Sequence, residues 1–252
     1  MRVDRIGFTA LKGAAHSEHD QVELAVGGPV GDRLFCLLDP GQDRVLRTVE
    51  NPWFLTAAAQ WDGTTLSLQH RDGLLKGPAE GTGDFRYVDY WGRRVEVEIL
   101  HGPWAAPYRR RLGRPVELVR STVPSALVYG APVSLVSSSS LSTLAEASGV
   151  PVTELAVRLR MTFTVDTPGL PAHVEDDWVG AELTLGDARV AVTSTIPRCA
   201  VINLNPATGL PDRPVLTALA RYRRTDAAVP LGVDAVVTCP GTVRRGDPVR
   251  AG

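Results

Sequence analysis

A β-compatible run at residues 181–196 constrains the fold of this chain more than any other segment. Apolar and polar side chains alternate along much of it, and Leu185-Gly186-Asp187-Ala188 interrupts the alternation. A period of two puts every second side chain on one face of a strand. A Gly-Asp pair between two such stretches is typical of a hairpin turn. The run therefore predicts two antiparallel strands joined by a tight turn.

Strand signals outnumber helix signals in the rest of the chain. Apolar or alternating runs bounded by turn residues predict further strands at residues 32–39, 64–69, 94–100, 116–119, 132–136 and 162–165. Helical spacing with start and stop signals predicts helices at residues 103–112, 140–148, 151–159 and 214–223. We therefore expect a mainly β protein with a few helices, in the α+β class.

The length of the chain allows either one large domain or two smaller ones. A chain of 252 residues is long enough to bury a substantial core. Its composition changes at residues 121–125, shortly after the strand predicted at 116–119. We therefore predict one domain over residues 1–120 and a second over residues 121–252.

The charge of the chain argues against two classes of partner. The formal net charge is −1 at pH 7, so no long-range field attracts nucleic acid or an anionic membrane. Arginines cluster at residues 109–111 and 221–224, but no aromatic platform or nucleic-acid-binding motif accompanies either cluster. We expect neither nucleic acid nor a membrane as a partner.

The number and spacing of the cysteines indicate the cellular compartment of the protein. Cys36, Cys199 and Cys239 are too few and too widely spaced for a disulfide framework, which favours a reducing environment. The N-terminal residues lack the apolar core of a signal peptide. We therefore expect a cytoplasmic protein. Cys36 lies in an apolar run and Cys239 precedes Pro240-Gly241, so we interpret both as structural.

Cys199 is the first candidate for chemistry. It follows a strand-like run, precedes the turn formed by Pro206-Ala-Thr208-Gly209, and comes directly after Arg198. A cation beside a thiol favours the thiolate, which attacks electrophiles and binds soft metals. Free cysteines are also common as small buried hydrophobic residues. Spacing alone slightly favours this second, structural interpretation.

Histidines and basic turns give weaker signals. His16 and His19 have helical spacing but no third ligand nearby, so we do not expect a zinc site. A cysteine–histidine nucleophilic pair stays open, because its members need only be close in space. Lys12-Gly13, Gly31-Asp32-Arg33 and the serines at 137–140 lie at predicted element ends. Such positions hold phosphate where the fold brings them together, and are otherwise caps or turns.

These residues resemble the MOSC family, which is named after the C-terminal domain of molybdenum cofactor sulfurases. The N-terminal part is similar at Leu11-Lys12-Gly13 and at residues 31–39, 91–92 and 112–115. The C-terminal part is similar at residues 132–141, 158–160, 175–178, 198–209 and 240–249. The resemblance implies an N-terminal β-barrel-like domain followed by a MOSC-type β-barrel domain.

The resemblance also implies a cofactor and an activity. In the branch that includes the mitochondrial amidoxime-reducing component, the cysteine matching Cys199 ligates molybdenum and would here be the catalytic residue. Lys12 and Arg33 match cations that hold the phosphate of the molybdopterin. The remaining expected cofactor contacts are Ser138, Ser140, Arg160, Arg198 and Asn203. The implied function is a molybdenum-dependent oxidoreductase that reduces small N-hydroxylated compounds with electrons from a separate donor protein.

Several positions depart from the family pattern and keep two alternatives open. The usual Phe-Arg-Pro-Asn appears as Leu159-Arg160-Met161-Thr162, and the usual aspartate before the proline of the cysteine turn is Asn205. The threonines after the cysteine are replaced by Ile202 and Asn203, and Gly13 stands in place of a serine. One alternative is a cofactor-handling module that carries sulfur as a Cys199 persulfide and depends on a sulfur donor protein. The other is a cofactor-free relative with a repurposed cleft.

Overall fold

Strands dominate the computed structural model, which describes residues 1–252 and has 42% strand and 19% helix. The strands are β1 (Arg2–Phe8), β2 (Ser17–His19), β3 (Gln21–Ala25), β4 (Gly28–Pro29), β5 (Phe35–Asp39), β6 (Arg44–Val45), β7 (Ala58–Trp61), β8 (Thr65–His70), β9 (Gly73–Pro78), β10 (Gly81–Tyr90), β11 (Arg93–Leu100), β12 (Glu117–Ser121), β13 (Val133–Ser137), β14 (Phe163–Asp166), β15 (Glu182–Leu185), β16 (Ala188–Pro197), β17 (Pro230–Cys239), β18 (Gly241–Arg244) and β19 (Val249–Ala251). The α+β class is thereby confirmed.

Four α-helices and three short 3-10 helices accompany the strands. The α-helices are α1 (Ala106–Leu112), α2 (Ser138–Ser148), α3 (Val152–Leu159) and α4 (Val215–Arg223). The 3-10 helices are Pro52–Thr56, Val174–Trp178 and Ala200–Asn203. Every strand and helix predicted from the sequence is present, with ends shifted by a few residues. None of the helices combines the length and the apolar character needed to cross a bilayer.

The first compact unit comprises residues 1–8, 16–30 and 129–252. It contains an eight-stranded sheet in the order β19-β15-β16-β17-β13-β14-β1-β2 and a three-stranded sheet of β18-β3-β4. In the large sheet only β13 and β14 are parallel, and α2 and α3 form the crossover between them, as parallel pairing requires. The hairpin predicted at 181–196 is confirmed, because β15 and β16 pair in antiparallel with Leu185 opposite Ala188.

The two faces of the large sheet bury different cores. Leu135 and Phe163 face a core built from strand residues of both sheets of this unit. Val136, next along β13, faces a second core that α2, α3 and α4 cover. Successive side chains of a strand point to opposite faces, so the helix-covered face also carries Thr164, the partner of Val136 in β14.

The second compact unit comprises residues 9–15 and 31–128. Its strands form a closed barrel of β10-β11-β12-β5-β6 and a three-stranded sheet of β7-β8-β9. This unit has two apolar cores, one that contains Trp104 and Phe54 and another that contains Tyr90 and Val97.

The grouping of the chain differs from the two contiguous segments predicted, 1–120 and 121–252. Residues 1–8 join the later part of the chain because β1 pairs with β14 in antiparallel. Residues 16–30 join it because β2 pairs with β1 and β3 pairs with β18. Composition along the chain carries no information about such distant strand pairing.

Helix α2 begins at Ser138, two residues earlier than the predicted start at 140. Ser137 is its N-cap, and the Ser137 Oγ accepts a hydrogen bond from the Ser140 N–H at 3.1 Å. Such caps satisfy an otherwise unpaired donor of the first turn. The helix ends at Gly149 in the left-handed conformation (φ 68°), as the sequence predicts.

Gly232 in β17 should tolerate no side chain. Its φ is +73°, and a Cβ there would lie 2.6 Å from both the Leu135 carbonyl oxygen and the Met161 Cε. Gly149 has nearly the same φ, +68°, but open space around it. We predict that Gly232→Ala lowers the free energy of unfolding by about 2–5 kcal/mol, from backbone strain plus overpacking. Gly149→Ala should cost only the strain, about 1–2 kcal/mol.

Urea unfolding of the two variants and the wild type measures this difference. Equal losses in both would contradict the crowding of Gly232 against the backbone of β13.

Candidate functional site

Cys199 lies on a surface loop directly after β16. We call residues 198–212 the cysteine loop. The Cys199 thiol is free and exposed, so the interpretation of this residue as a small buried hydrophobic group is wrong. Cys36 is fully buried, and desolvation raises the pKa of its thiol to about 12, which makes it inert. Cys239 is half-buried.

Arg158, in the last turn of α3, binds two points of the cysteine loop. Its side chain is completely buried. The Nη1 donates to the Leu204 carbonyl at 2.8 Å, and the Nη2 donates to both carboxylate oxygens of Asp212 at 2.7 and 2.9 Å. Nε donates to Glu154, one helical turn earlier, at 2.8 Å. Charge-assisted bonds of this kind are stronger than neutral ones. One guanidinium therefore ties two points of the loop to α3.

Asn205 closes the turn inside the loop. Its Oδ1 accepts from the backbone N–H groups of Ala207 and Thr208 at 2.8 and 3.3 Å, which is an Asx-type turn. Its Nδ2 donates to Asp212 Oδ2 at 2.8 Å. An aspartate at position 205 would place a second carboxylate against that of Asp212. The amide therefore suits this chain, whose Asp212 already supplies the carboxylate.

Asp212 is held in its charged form by this arrangement. Partial burial opposes ionisation, but hydrogen bonds from Arg158 and Asn205 outweigh it and hold the pKa of the Asp212 carboxyl below its usual value. The ionised carboxylate in turn keeps Arg158 neutralised in its buried position.

Asn203, a predicted cofactor contact, joins the loop to α4. Its Oδ1 accepts a hydrogen bond from the Leu216 N–H at 2.8 Å. Leu216 lies in the first turn of α4, where N–H groups have no partner within the helix. The observed role of this amide is therefore that of a cap for α4.

Arg198 forms its hydrogen bonds with backbone carbonyls and a methionine sulfur rather than with the neighbouring thiol. Its guanidinium donates to the carbonyls of Leu159 at 3.2 Å and Leu231 at 2.8 Å, and Nη2 lies 2.8 Å from the Met161 sulfur. Desolvation lowers the pKa of Arg198 to about 10, although nearby Asp234 opposes the shift. The observed bonds fasten the start of the cysteine loop to β17 and to the segment before β14.

Ser140 belongs to a buried polar network at the start of α2. Its Oγ accepts from the His173 backbone N–H at 2.7 Å and donates to Glu175 Oε2 at 2.8 Å. The Ser137 hydroxyl donates to the Ser140 Oγ at 2.8 Å. The network joins α2 to the segment around the 3-10 helix Val174–Trp178.

Ser138 is likewise engaged within its own unit. Its Oγ accepts from the Thr167 backbone N–H at 3.0 Å and lies 3.5 Å from an Asp166 carboxylate oxygen. The observed bonds of Ser138 therefore hold the end of β14.

Arg160 follows α3 in the left-handed conformation. Its φ is +56°, and its backbone N–H donates to the Val157 carbonyl at 3.2 Å. Non-glycine residues adopt positive φ infrequently. The residue is half-buried. The same turn carries Leu159, whose carbonyl binds Arg198.

Lys12 and Arg33 lie in the second unit. Lys12 Nζ donates to the Leu127 carbonyl at 2.9 Å and lies 4.4 Å from the centre of the Tyr90 ring. Arg33 Nη1 forms an ion pair with the buried Asp32 at 2.5 Å. Both cations therefore have partners within the barrel-containing unit, and their predicted contact with a phosphate stays a prediction.

Several residues of this region cannot be recognised from the sequence alone. Arg158 belongs to a sequence motif but Asp212 to none, and the two residues lie 54 positions apart in the chain. Glu175 is fully buried with its Oε1 unpartnered, and burial together with Arg223 lowers the pKa of His173. No local pattern signals these contacts. No cluster of three or more His, Cys, Asp or Glu side chains in the chain could hold a metal ion.

Removal of the Arg158 guanidinium should release the cysteine loop. We predict that Arg158→Met lowers the free energy of unfolding by about 2–4 kcal/mol, because it leaves the Leu204 carbonyl without the Arg158 donor and the Asp212 carboxylate without its charged partner. The exposed Arg221 on α4 is a matched control, and Arg221→Met should change stability by less than about 0.5 kcal/mol.

Urea unfolding and hydrogen exchange of residues 198–212 measure the two effects of the change. If Arg158→Met is as stable as Arg221→Met and its loop is equally protected from exchange, Arg158 does not hold the cysteine loop in place.

Comparisons with known proteins identify the family of this chain. The family model of the MOSC domain matches residues 109–250. The crystal structure of the YuaD protein from Bacillus subtilis is similar over 98% of this chain and 93% of its own, with 15% identity and a TM-score of 0.51. YiiM from Geobacillus stearothermophilus matches over 48% of this chain and 54% of its own, with 21% identity and a TM-score of 0.35.

At these identities the structural similarity concerns the fold alone. None of the curated protein sequences matches this chain. The family model, in contrast, covers more than half of the residues. The chain belongs to the MOSC domain family.

Proposed function

We propose that this protein binds a molybdenum cofactor with Cys199 as the metal ligand and reduces N-hydroxylated compounds. MOSC domains are associated with molybdenum cofactor binding. The observation that carries the proposal is the free, exposed Cys199 thiol on a loop that buried Arg158 holds in place. The other two cysteines are less exposed, and Cys36 is inert by burial.

The donor chemistry at Cys199 fits such a cofactor. A thiolate is a soft ligand, which suits a molybdenum centre carried by a dithiolene. One thiolate supplies a single ligand, so a metal held there needs its remaining ligands from the cofactor. The ion pair of Arg158 and Asp212 fixes the backbone of the cysteine loop. A Cys199 thiolate held in this way loses little conformational freedom when it binds a metal.

The other predicted contacts divide into two groups in this proposal. Arg198 and Asn203 are positioning residues, because their polar groups hold the cysteine loop against β17 and α4. Ser138 and Ser140 hold the start of α2 next to β14. Arg160 is the cation of the first unit that we propose to contact the cofactor phosphate, and the phosphate roles of Lys12 and Arg33, in the second unit, stay predictions from the family resemblance. Of these, Arg33 has its charge balanced by Asp32.

The bound cofactor would supply two-electron oxygen-transfer chemistry. The exposure of Cys199 leaves this end of the unit open to a small-molecule substrate and to a separate electron donor protein. The cytoplasm is the proposed location, where thiols stay reduced.

Sulfur handling is the second candidate. The hydroxyls of Ser138 and Ser140 and the amide oxygen of Asn203 form hydrogen bonds inside their own unit, which favours a Cys199 with few cofactor contacts around it. In this case Cys199 would carry a persulfide received from a sulfur donor protein.

The molybdenum content of purified protein tests the first candidate. We predict near-stoichiometric molybdenum, measured by elemental mass spectrometry, in wild-type protein from a host that makes the cofactor. Cys199→Ser should lose the metal, because a hydroxyl is a harder and weaker ligand for it. The matched control Cys239→Ser should keep it, because Cys239 lies at the end of β17 outside the cysteine loop.

Full metal content in Cys199→Ser would rule out Cys199 as the ligand. Metal-free wild-type protein with a trappable Cys199 persulfide would instead favour sulfur handling. The same preparations are assayed for reduction of an amidoxime by a chemical electron donor, which should follow the metal content.

A further inference from the structure

The outer side of α4 carries a group of exposed arginines. The inner side of the helix is buried at Val215, Ala218 and Leu219. Arg221 and Arg224 are three residues apart, a spacing that puts both on the opposite side, and both are exposed. Arg213, just before the helix, is exposed as well. We call Arg213, Arg221 and Arg224 the arginine face.

The guanidinium groups of the arginine face have no partners within the chain. None of the three forms an ion pair or a hydrogen bond. Arg223, on the flank of the same helix, does pair with Asp176 at 2.6 Å. The exposed Arg189 of the same unit likewise pairs with Glu182 at 3.1 Å. The arginine face therefore presents donors that a partner molecule can use.

Nearby carboxylates offset only part of the charge of the arginine face. Asp212 attracts the neighbouring Arg213, but its carboxylate is bound by Arg158 at the same time. Asp226 follows Arg224 by two residues and forms no ion pair. Even with both carboxylates counted in full, the three arginines leave an excess of one positive charge. The whole chain, in contrast, has a formal net charge of −1.

Two exposed apolar side chains accompany the arginine face. Tyr222 on α4 is 40% exposed, and Leu210 in the cysteine loop is 64% exposed. Tyrosine and arginine are enriched among the residues that dominate the binding energy of protein interfaces. A helix face that only meets water needs no such apolar groups beside its charges. The combination indicates a surface that binds a protein.

The arginine face begins close to Cys199. The 3-10 helix Ala200–Asn203 follows the cysteine, and four residues of such a helix span about 8 Å. The Asn203 carbonyl then accepts a hydrogen bond from the Asp212 N–H at 3.2 Å, and Arg213 is the next residue. Arg213 therefore lies within about 15 Å of Cys199 by this path. A protein bound to α4 would be close to the thiol.

We propose that the arginine face is the docking surface of the electron donor protein, and that this donor is an acidic electron carrier. The inference rests on the proposed reductase function. Each N-hydroxylated substrate takes up two electrons and two protons and releases one water, so the carrier gives up two electrons per turnover. Arginines bind carboxylates through charge-assisted hydrogen bonds. Complementary charges also speed the association of two proteins, and salt weakens the effect.

Isothermal titration of cofactor-free protein with flavodoxin, a small acidic electron carrier, tests the docking surface. We expect binding at low ionic strength that weakens as salt is added. Arg221→Glu combined with Arg224→Glu should weaken it about tenfold or more, because two attractive charges become repulsive. The control Arg250→Glu reverses an exposed charge on β19, the edge strand of the large sheet. It should change the affinity by less than about twofold.

Two further variants keep the test decisive. Leu210→Ser removes apolar surface from the cysteine loop without changing the charge, and should weaken flavodoxin binding about threefold. An unchanged affinity in Leu210→Ser would place the carrier away from the cysteine loop and overturn the proposal. If circular dichroism shows that the double glutamate variant is unfolded, Arg221→Gln combined with Arg224→Gln decides the outcome. It removes the charges without placing carboxylates at the C-terminal end of a helix.

Other results of the titration would also overturn the proposal. Flavodoxin might fail to bind the wild type, or bind the double variant as tightly as Arg250→Glu. Equally tight binding of cytochrome c, a basic electron carrier, would show that the surface does not select acidic partners. Equally tight binding of a DNA duplex would identify a general polyanion surface. The titration needs no molybdenum, so its failure is distinguishable from a failure of the metal-content test for Cys199.

Discussion

The buried guanidinium of Arg158 is the interaction on which the candidate site depends. An unpaired arginine in this position would be strongly unfavourable, so the carboxylate of Asp212 and the carbonyl of Leu204 must stay within reach of it. This requirement fixes the path of the chain after Cys199. Asn203 then places the start of α4, and Arg198 fastens the start of the loop. The exposed thiol is therefore presented by a rigid frame.

Three of the predicted cofactor contacts form hydrogen bonds within the first unit. Ser140, Arg198 and Asn203 satisfy buried backbone groups or carboxylates within the first unit. Asn205 shows how the chain accommodates its departure from the family pattern. The Asn205 amide donates to the carboxylate of Asp212, a contact that an aspartate at position 205 could not make. The same side chain closes the Asx turn through its oxygen.

The sequence predicted local structure well and long-range arrangement poorly. The hairpin of β15 and β16 and the ends of α2 follow from alternation, a serine cap and Gly149, all of which act over a few residues. The resemblance to the MOSC family was recognised from sequence motifs that occur in the expected order. The grouping of residues 1–8 with the C-terminal part, and the pairing of Arg158 with Asp212, depend on contacts between distant segments.

Alkylation of the cysteines before and after cofactor loading tests the central claim most directly. Iodoacetamide labelling followed by peptide mass spectrometry reports Cys199 and Cys239 in the same sample. A thiolate bound to a metal cannot react, so Cys199 should be labelled in cofactor-free protein and protected in loaded protein. Cys239 should be labelled equally in both. Equal labelling of Cys199 in the two states would contradict its role as the metal ligand.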